Sequence, residues 1–390
     1  MQDGSRALMV VSADLPNGPT IHPHGPRKDY VALANRLDAA VLDRSQVDRS
    51  AVARMLRKTF GIGVAQAWLA FQRRHQYDVV LTDGEHIGIP LAVMMKAAGL
   101  SMPHVTIGHR ISSSKKRPLF RWLKAHSHID RIALHASRQR EIGVDELGIP
   151  AEQLALVPWQ ADPDFWRPLP VPEERLICSA GLEYRDYPVL MQAVDGLDVQ
   201  VVIGASSHWS RRRNTAQDTD VPPNVQVAAF DFLALRELYA RSAMVVVPLD
   251  DVDFQAGITT ILEAMSMGKA VIVTATSGQT DMVLDRRDPA RESGAQPVSL
   301  LRQLAEQAGI DLEPNGIYVP PGNPEALRRA IVYLLDHPEE RAQLGRAGRR
   351  AVESLLTVDH FAERISELVY QALDSHTPPW PGRAVAPSAS

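Results

Sequence analysis

The residues best suited to chemistry lie in one short segment, Gln255-Ala256-Gly257-Ile258-Thr259-Thr260-Ile261-Leu262-Glu263. Gly257 followed by Thr259 and Thr260 at a helix start offers free backbone amides, two hydroxyls and the positive end of a helix dipole. That combination suits a diphosphate. Glu263, about one turn further in, can accept hydrogen bonds from ribose hydroxyls. The same residues also fit a plain capped helix with a solvated glutamate, so the segment alone leaves both readings open. His109 follows the apolar run Val105-Thr106-Ile107-Gly108, and Glu85 and His86 follow the run Tyr77–Thr82. All three are expected to face a common cleft, with Glu85 and His86 as candidate acceptor contacts. His22 and His24 have the spacing of a metal pair, but two imidazoles in a Gly/Pro-rich loop fall short of a ligand set. Arg211-Arg212-Arg213 fits a solvated face or a source of phosphate-binding charge.

These residues must be positioned by short apolar strands that alternate with helix-period stretches. In the first half the strands fall at Ala7–Ser12, Tyr77–Thr82, His104–Gly108, Arg131–His135 and Leu154–Pro158. In the second they fall at Arg175–Ser179, Val199–Ile203, Val225–Phe230, Ala243–Pro248, Ala270–Thr274 and Gly316–Val319. Several are apolar throughout, as required of strands covered on both faces in a parallel sheet. Regular strand–helix alternation predicts an α/β fold, and eleven strands exceed one sheet of ordinary size. The break falls near Trp159–Glu174, where the five prolines of Pro158–Pro172 preclude a helix or a central strand. The chain therefore reads as two Rossmann-like domains facing across a cleft. Their boundaries are 1–168 on the acceptor side and 169–357 on the nucleotide side. A terminal helix over 358–375 is expected to pack back on the first domain, and a Pro/Ala/Ser-rich tail over 376–390 to be disordered. Ligands in such sheets bind beyond the carboxyl ends of the strands, where the Asn17–Lys28 loop also belongs. A second long connection, 285–314, carries one helical pattern at Val298–Ala308.

With these elements in place, the segment resembles that of the retaining GT-B nucleotide-sugar glycosyltransferases of family 4 (glycosyl transferases group 1). There a Glu, seven residues and a second Glu precede Ala-Met, Gly and a strand. Ser179-Ala180-Gly181-Leu182-Glu183-Tyr184-Arg185-Asp186-Tyr187-Pro188 is similar to the family's phosphate-binding loop, and Asn315-Gly316-Ile317-Tyr318-Val319-Pro320-Pro321-Gly322 to its late turn. The resemblance covers about residues 100–370. It implies a donor site formed by Gly181, Arg185, Gly257, Ile258, Thr259, Thr260 and Glu263. It places His109 against the transferred sugar and gives Gln255 and Glu263 the places of the paired glutamates. The implied activity is transfer of a sugar from a nucleoside diphosphate sugar (UDP or GDP) to a small-molecule, glycan or lipid-linked acceptor, with no cofactor, no metal and no nucleic-acid partner. Two departures stand out. Gln255 replaces the first Glu, and Leu182 replaces a phosphate-binding Arg. They leave open a binding protein that has lost catalysis, as well as an epimerase on the same fold. Asp251-Val252-Asp253 matches the Asp-x-Asp metal motif of the other glycosyltransferase fold, but side chains and a helix dipole are expected to serve here.

Composition narrows the class. The 390 residues carry 42 basic and 46 acidic side chains, with only seven lysines among the cations. A net charge of -4 argues against a general nucleic-acid binder. A dinucleotide-dependent oxidoreductase is disfavoured because no strand is followed by Gly-x-Gly-x-x-Gly. The single cysteine, Cys178, lies in an apolar run and forms no intrachain disulfide. No signal-peptide pattern or membrane-length apolar run is present, so a cytoplasmic location is expected. Lys115–Lys124 combines cations with Leu119, Trp122 and Leu123 at helical spacing, which suits either an inward-packed helix or a peripheral contact with an anionic membrane.

Overall fold

The computed structural model describes residues 6–15, 24–204, 221–285 and 299–376. Among the described residues twelve strands form two six-stranded sheets, and every strand pairing is parallel. The first sheet contains β1 (Ala7–Val10), β2 (Ala40–Leu42), β3 (Val79–Thr82), β4 (His104–Gly108), β5 (Arg131–Leu134) and β6 (Leu154–Leu156), in the order β2-β1-β3-β4-β5-β6. The second contains β7 (Leu176–Ala180), β8 (Gln200–Gly204), β9 (Val225–Ala228), β10 (Met244–Val247), β11 (Ala270–Thr274) and β12 (Gly316–Val319), in the order β12-β11-β10-β7-β8-β9. This is the two-domain GT-B architecture. The strand expectations are met, with β2 added. At three residues on a sheet edge, β2 is too short to leave a periodic signal.

Both faces of each sheet are covered, which explains the strands' unbroken apolarity. On the first sheet, α1 (Asp29–Arg36) lies on one face. On the other lie α2 (Ala51–Phe60), α3 (Ile62–Arg73), α4 (Glu85–Ala97), α5 (Arg117–Arg121) and α6 (Ser137–Asp145). On the second sheet, α7 (Tyr187–Val194) and α11 (Pro324–Asp336) cover one face. The other is covered by α8 (Phe232–Arg241), α9 (Ile258–Ser266), α10 (Leu300–Ala308) and α12 (Pro338–Leu355). The last helix, α13 (Val358–Ser375), returns to the first domain beside α1. It buries Phe361, Ile365, Leu368 and Val369 against Met9, Leu33 and Leu81. The chain thus crosses between domains twice, and the crossings meet at a backbone bridge between Ala161 and Thr357.

Strand order reverses between β1 and β3 in the first sheet and between β7 and β10 in the second. At such a point the loops leaving adjacent strands diverge to opposite faces and open a crevice. Ser12 and Asp83 follow β1 and β3, while Gly181 and the 248–257 loop follow β7 and β10.

Other expectations are corrected or fall outside the described residues. Lys115–Lys124 is not one amphipathic helix. Only Arg117–Arg121 is helical, Phe120 is buried, and Lys124 takes a left-handed conformation that ends the turn. Trp122 is nevertheless 80% exposed. His22 and Arg211–Arg213 lie outside the described residues, as do 286–298 and 377–390. No helix among the described residues is long and apolar enough to cross a membrane.

Candidate active site

A cavity of about 680 Å³ lies between the domains, lined by the loops from both switch points. From the second domain it takes Gly181, Leu182, Arg185, Gln255, Gly257, Ile258, Thr259, Thr260 and Glu263. From the first it takes Ser12, Lys28, Asp29, Asp83 and His109. The residues expected to form one site are therefore brought together, with the exception of Glu85 and His86.

The floor of the second-domain half is built around Arg185. Its side chain is buried, and its nitrogens donate to Ala180 O (Nε, 2.9 Å), Glu183 O (Nη1, 2.8 Å) and Thr260 Oγ1 (Nη2, 3.1 Å). The guanidinium packs tightly under two glycines. A Cβ on Gly181 would lie 2.5 Å from Nη2, and one on Gly257 would lie 3.4 Å from Nη1. Gly257 is also the N-cap of α9, at a φ of 76°, which a side chain disfavours. Its conformation turns the first amides of α9 toward the cavity end. The two threonines divide. Thr259 is exposed, whereas the Thr260 hydroxyl is turned inward between Arg185 and Ala180 O. Burial works to lower the pKa of Arg185, yet Tyr187, Tyr239, Glu183 and Glu263 surround it and oppose that shift.

Glu263 lines the cavity from the second turn of α9 and accepts the Tyr239 hydroxyl (3.1 Å). Burial pushes its carboxyl up to about 7, against that hydrogen bond and the attraction of Lys28 and Arg185. Gln255 is 8% exposed, and among the described residues neither atom of its side-chain amide has a hydrogen-bond partner. A buried, unpaired amide is costly in a folded chain. Gln255 is thus a group prepared for a polar ligand, with one acceptor and two donors to offer.

In the first-domain half, His109 is 41% exposed in side chain and stands 3.9 Å from Asp83 Oδ1. Its ring meets Trp159 edge-on, and Trp159 in turn contacts His135 and Phe361. Burial and its neighbour Asp29 push the Asp83 carboxyl up to about 7, while His109 and Ser12 oppose the rise. Sequence reasoning passed over Asp83, Asp29 and Lys28, because nothing local distinguishes them from solvated charges. Their one available signal was position, at the end of β3 and in the loop after β1.

Glu85 and His86 correct the sequence expectation. Glu85 is buried and turned away from the cavity. It accepts the backbone N–H groups of His109 (2.9 Å) and Arg110 (3.1 Å) and pairs with the Lys116 ammonium. Burial alone would raise its carboxyl, but His109 and Lys116 hold it down to about 2. Glu85 is therefore a clamp on the loop that presents His109, and His86 is exposed outside the cavity.

The domains are latched on the far side of that loop. Arg110 donates to the Tyr184 hydroxyl (2.7 Å) and stacks on Phe254. Gln139 donates to Asp253 O (2.7 Å), and Ser137 binds Asp281 through N and Oγ. The Asp-x-Asp segment belongs to this interface. Asp253 lies 3.8 Å from Arg110, and Asp251 accepts the N–H of Ser277. Among the described residues no group of three His, Cys, Asp or Glu side chains has the arrangement of a metal site. Cys178 is fully buried in β7, which pushes its thiol pKa up and leaves it inert.

Comparison with known proteins agrees with this architecture. Residues 175–337 match the family model of glycosyl transferases group 1, which bears out the resemblance read from the sequence. A search of curated protein sequences finds no match. Among solved structures, sucrose-phosphate synthase from Thermosynechococcus elongatus superposes with a TM-score of 0.67 at 15% identity, over 95% of this chain and 99% of that one. Anabaena HepE in complex with UDP-glucose gives 0.63 at 13% identity, over 94% and 99%. An α,α-trehalose-phosphate synthase (UDP-forming) from Burkholderia xenovorans, in complex with glucose-6-phosphate, gives 0.59 at 13%, over 93% and 100%. At these identities the likeness establishes the GT-B fold over nearly the whole chain.

Proposed function

We propose that this protein is a retaining glycosyltransferase that moves a sugar from a nucleoside diphosphate sugar, UDP- or GDP-linked, to a small-molecule or glycan acceptor. The observation that carries the reading is Gln255, a buried side chain with both amide atoms unpaired on the wall of the interdomain cavity. It sits two residues before the helix N-terminus suited to a diphosphate and in the cavity that His109 enters from the other domain. The family match on residues 175–337 and the nucleotide-bound GT-B neighbours support the donor class.

In this reading Glu263 accepts the ribose hydroxyls, and the amides of Ile258 and Thr259 face the diphosphate together with the Thr259 hydroxyl. Gln255 and His109 bracket the transferred sugar. The sugar–phosphate bond breaks as the acceptor hydroxyl approaches from the same face; its oxygen bonds to the anomeric carbon, the diphosphate takes the bonding pair, and the hydroxyl proton passes to the departing phosphate oxygen. Preorganised dipoles and side-chain cations stabilise the leaving charge, so no metal is required. The closed interface made by Arg110 and Gln139 excludes water from the reacting centre.

The test begins with a thermal-shift screen of UDP-, GDP-, ADP- and dTDP-sugars, followed by transfer assays of wild type, Gln255→Glu and Gln255→Ala with the best donor. Stabilisation by one donor class, transfer with retained anomeric configuration, and a loss of at least about tenfold in Gln255→Ala are expected. Wild-type rates for Gln255→Ala would remove this residue from the sugar site. The Glu-to-Gln departure favours one second reading, a donor-binding protein without turnover. It predicts tight donor binding, no transfer by wild type, and transfer gained in Gln255→Glu.

A further inference from the structure

The charge balance of the donor site leaves one question that its own domain does not answer. A nucleoside diphosphate sugar brings two negative phosphate charges into a cavity whose second-domain wall already carries Glu183, Asp231 and Glu263. Leu182 supplies no charge. Arg185 keeps its cation, but Nε, Nη1 and Nη2 already donate to Ala180 O, Glu183 O and the Thr260 hydroxyl. Arg27 also lines the cavity, yet its guanidinium is spread over Asp162 and Asp359, with Asp164 3.6 Å away.

Lys28 differs from both. Its side chain is mostly buried in the cavity wall, and among the described residues its ammonium has no hydrogen-bond or ion-pair partner. It comes from the first domain and reaches the second, where Nζ sits 4.6 Å above the Phe232 ring. Glu263 attracts it from the same wall. Its placement is fixed by its neighbour, because the backbone N–H of Arg27 donates to the buried Asp162 (2.8 Å) and the Arg27 guanidinium holds Asp359. Lys28 also begins α1 without capping it through its side chain, so the ammonium has no local structural duty. An anchored backbone and a desolvated ammonium with three unused donors on the cavity wall suit an anionic ligand.

We infer that Lys28 is the cation that meets the donor diphosphate, supplied from the opposite domain in place of the arginine absent at Leu182. The inference rests on the donor reading above. It makes phosphate neutralisation a property of the closed cleft, because the charge and the helix amides lie on different domains. A nucleoside, lacking phosphates, gains nothing from Lys28.

The experiment measures binding of UDP, uridine, GDP and guanosine by titration calorimetry to wild type, Lys28→Gln and Lys28→Arg. For the base that wild type prefers, Lys28→Gln should weaken the diphosphate 10- to 100-fold and the nucleoside less than threefold. Lys28→Arg should keep diphosphate affinity within about fivefold. A diphosphate affinity unchanged in Lys28→Gln, an equal loss for nucleoside and diphosphate, or a Lys28→Arg variant as weak as Lys28→Gln would each overturn the inference. If wild type binds neither diphosphate, the donor reading itself fails, and that outcome is distinct from failure at Lys28.

Discussion

The two walls of the cleft are built on opposite terms. On the second-domain wall the polar groups are tied to one another. Arg185 is bonded to two carbonyls and Thr260, and Glu263 takes a tyrosine hydroxyl. On the first-domain wall the polar groups stand at loop ends. His109 is partly exposed, the Lys28 ammonium has no hydrogen-bond or ion-pair partner among the described residues, and Asp29 and Asp83 repel each other. A wall that receives the same diphosphate in every cycle gains from being built in advance, since preorganised groups need no rearrangement as charge develops. A wall that selects an acceptor gains from standing on loops, which change without disturbing the core.

The sharpest way to break this contrast is Arg185→Met. It leaves Ala180 O and the Thr260 hydroxyl with only each other and takes the guanidinium away from Glu183 O, and a buried polar group that loses a partner costs about 1–3 kcal/mol. A stability loss of about 2 kcal/mol and a fall of about 100-fold in nucleoside diphosphate affinity are expected from urea unfolding and calorimetry. A loss below 1 kcal/mol would show that the donor wall is not pre-built.

Next in size is Glu85→Gln, which loosens the His109 loop from beneath. Donor affinity should hold while kcat falls about tenfold. The folded carboxyl titrates near 2, below its ordinary value of 4.5. Its ionised form therefore stabilises the fold above pH 5, and that contribution fades as pH falls from about 4.5 to 2. By linkage the difference between variant and wild type should be about 3 kcal/mol at pH 7 and should vanish near pH 2. A constant difference across that range would assign the effect to packing rather than charge.

Glu263→Gln should act with the opposite sign. The folded carboxyl is raised to about 7, so ionisation above that pH opposes folding, and the penalty is relieved as pH drops toward the ordinary value. The variant should gain about 3 kcal/mol over wild type at pH 8 and little at pH 4, while losing nucleotide affinity. Thermal melts at the two pH values read this directly. Stability held back at a site for the sake of binding is a common trade in enzymes. The smallest effect is expected at Trp122→Ser, where an exposed ring makes little contribution and unfolding free energy should change by less than about 0.5 kcal/mol. A larger loss would mean that this surface supports the core after all.

How much of this was legible in the sequence follows the same division. The donor wall comes from two local segments, Ser179–Pro188 and Gln255–Glu263, so adjacent residue types reveal its parts. The continuous apolar strands likewise reveal two parallel sheets, because burial on both faces leaves a local mark. The first-domain wall is assembled from β1, β3 and β4 loops far apart in the chain. Glu85 looked like a cleft residue because it follows a strand, yet it lies just past the N-cap of α4, where it reaches two amides 24 and 25 residues away. Lys28 and Asp83 acquire meaning only when Phe232, Glu263 and His109 are brought beside them. Pairings across such distances are written in the topology rather than in any motif.

The return of α13 to the first domain has a consequence for biosynthesis. Synthesis delivers the first sheet early, yet that sheet lacks its partner until Phe361, Ile365, Leu368 and Val369 emerge. While the entire second domain is being translated, α1 alone covers that face, and Met9, Leu33 and Leu81 lack their partners from α13. The first domain is therefore the last to be completed, and its nascent form presents an apolar surface of the kind chaperones shield. A stalled chain ending at Leu356 should bind a holdase through that face and release it once residues 357–376 are added.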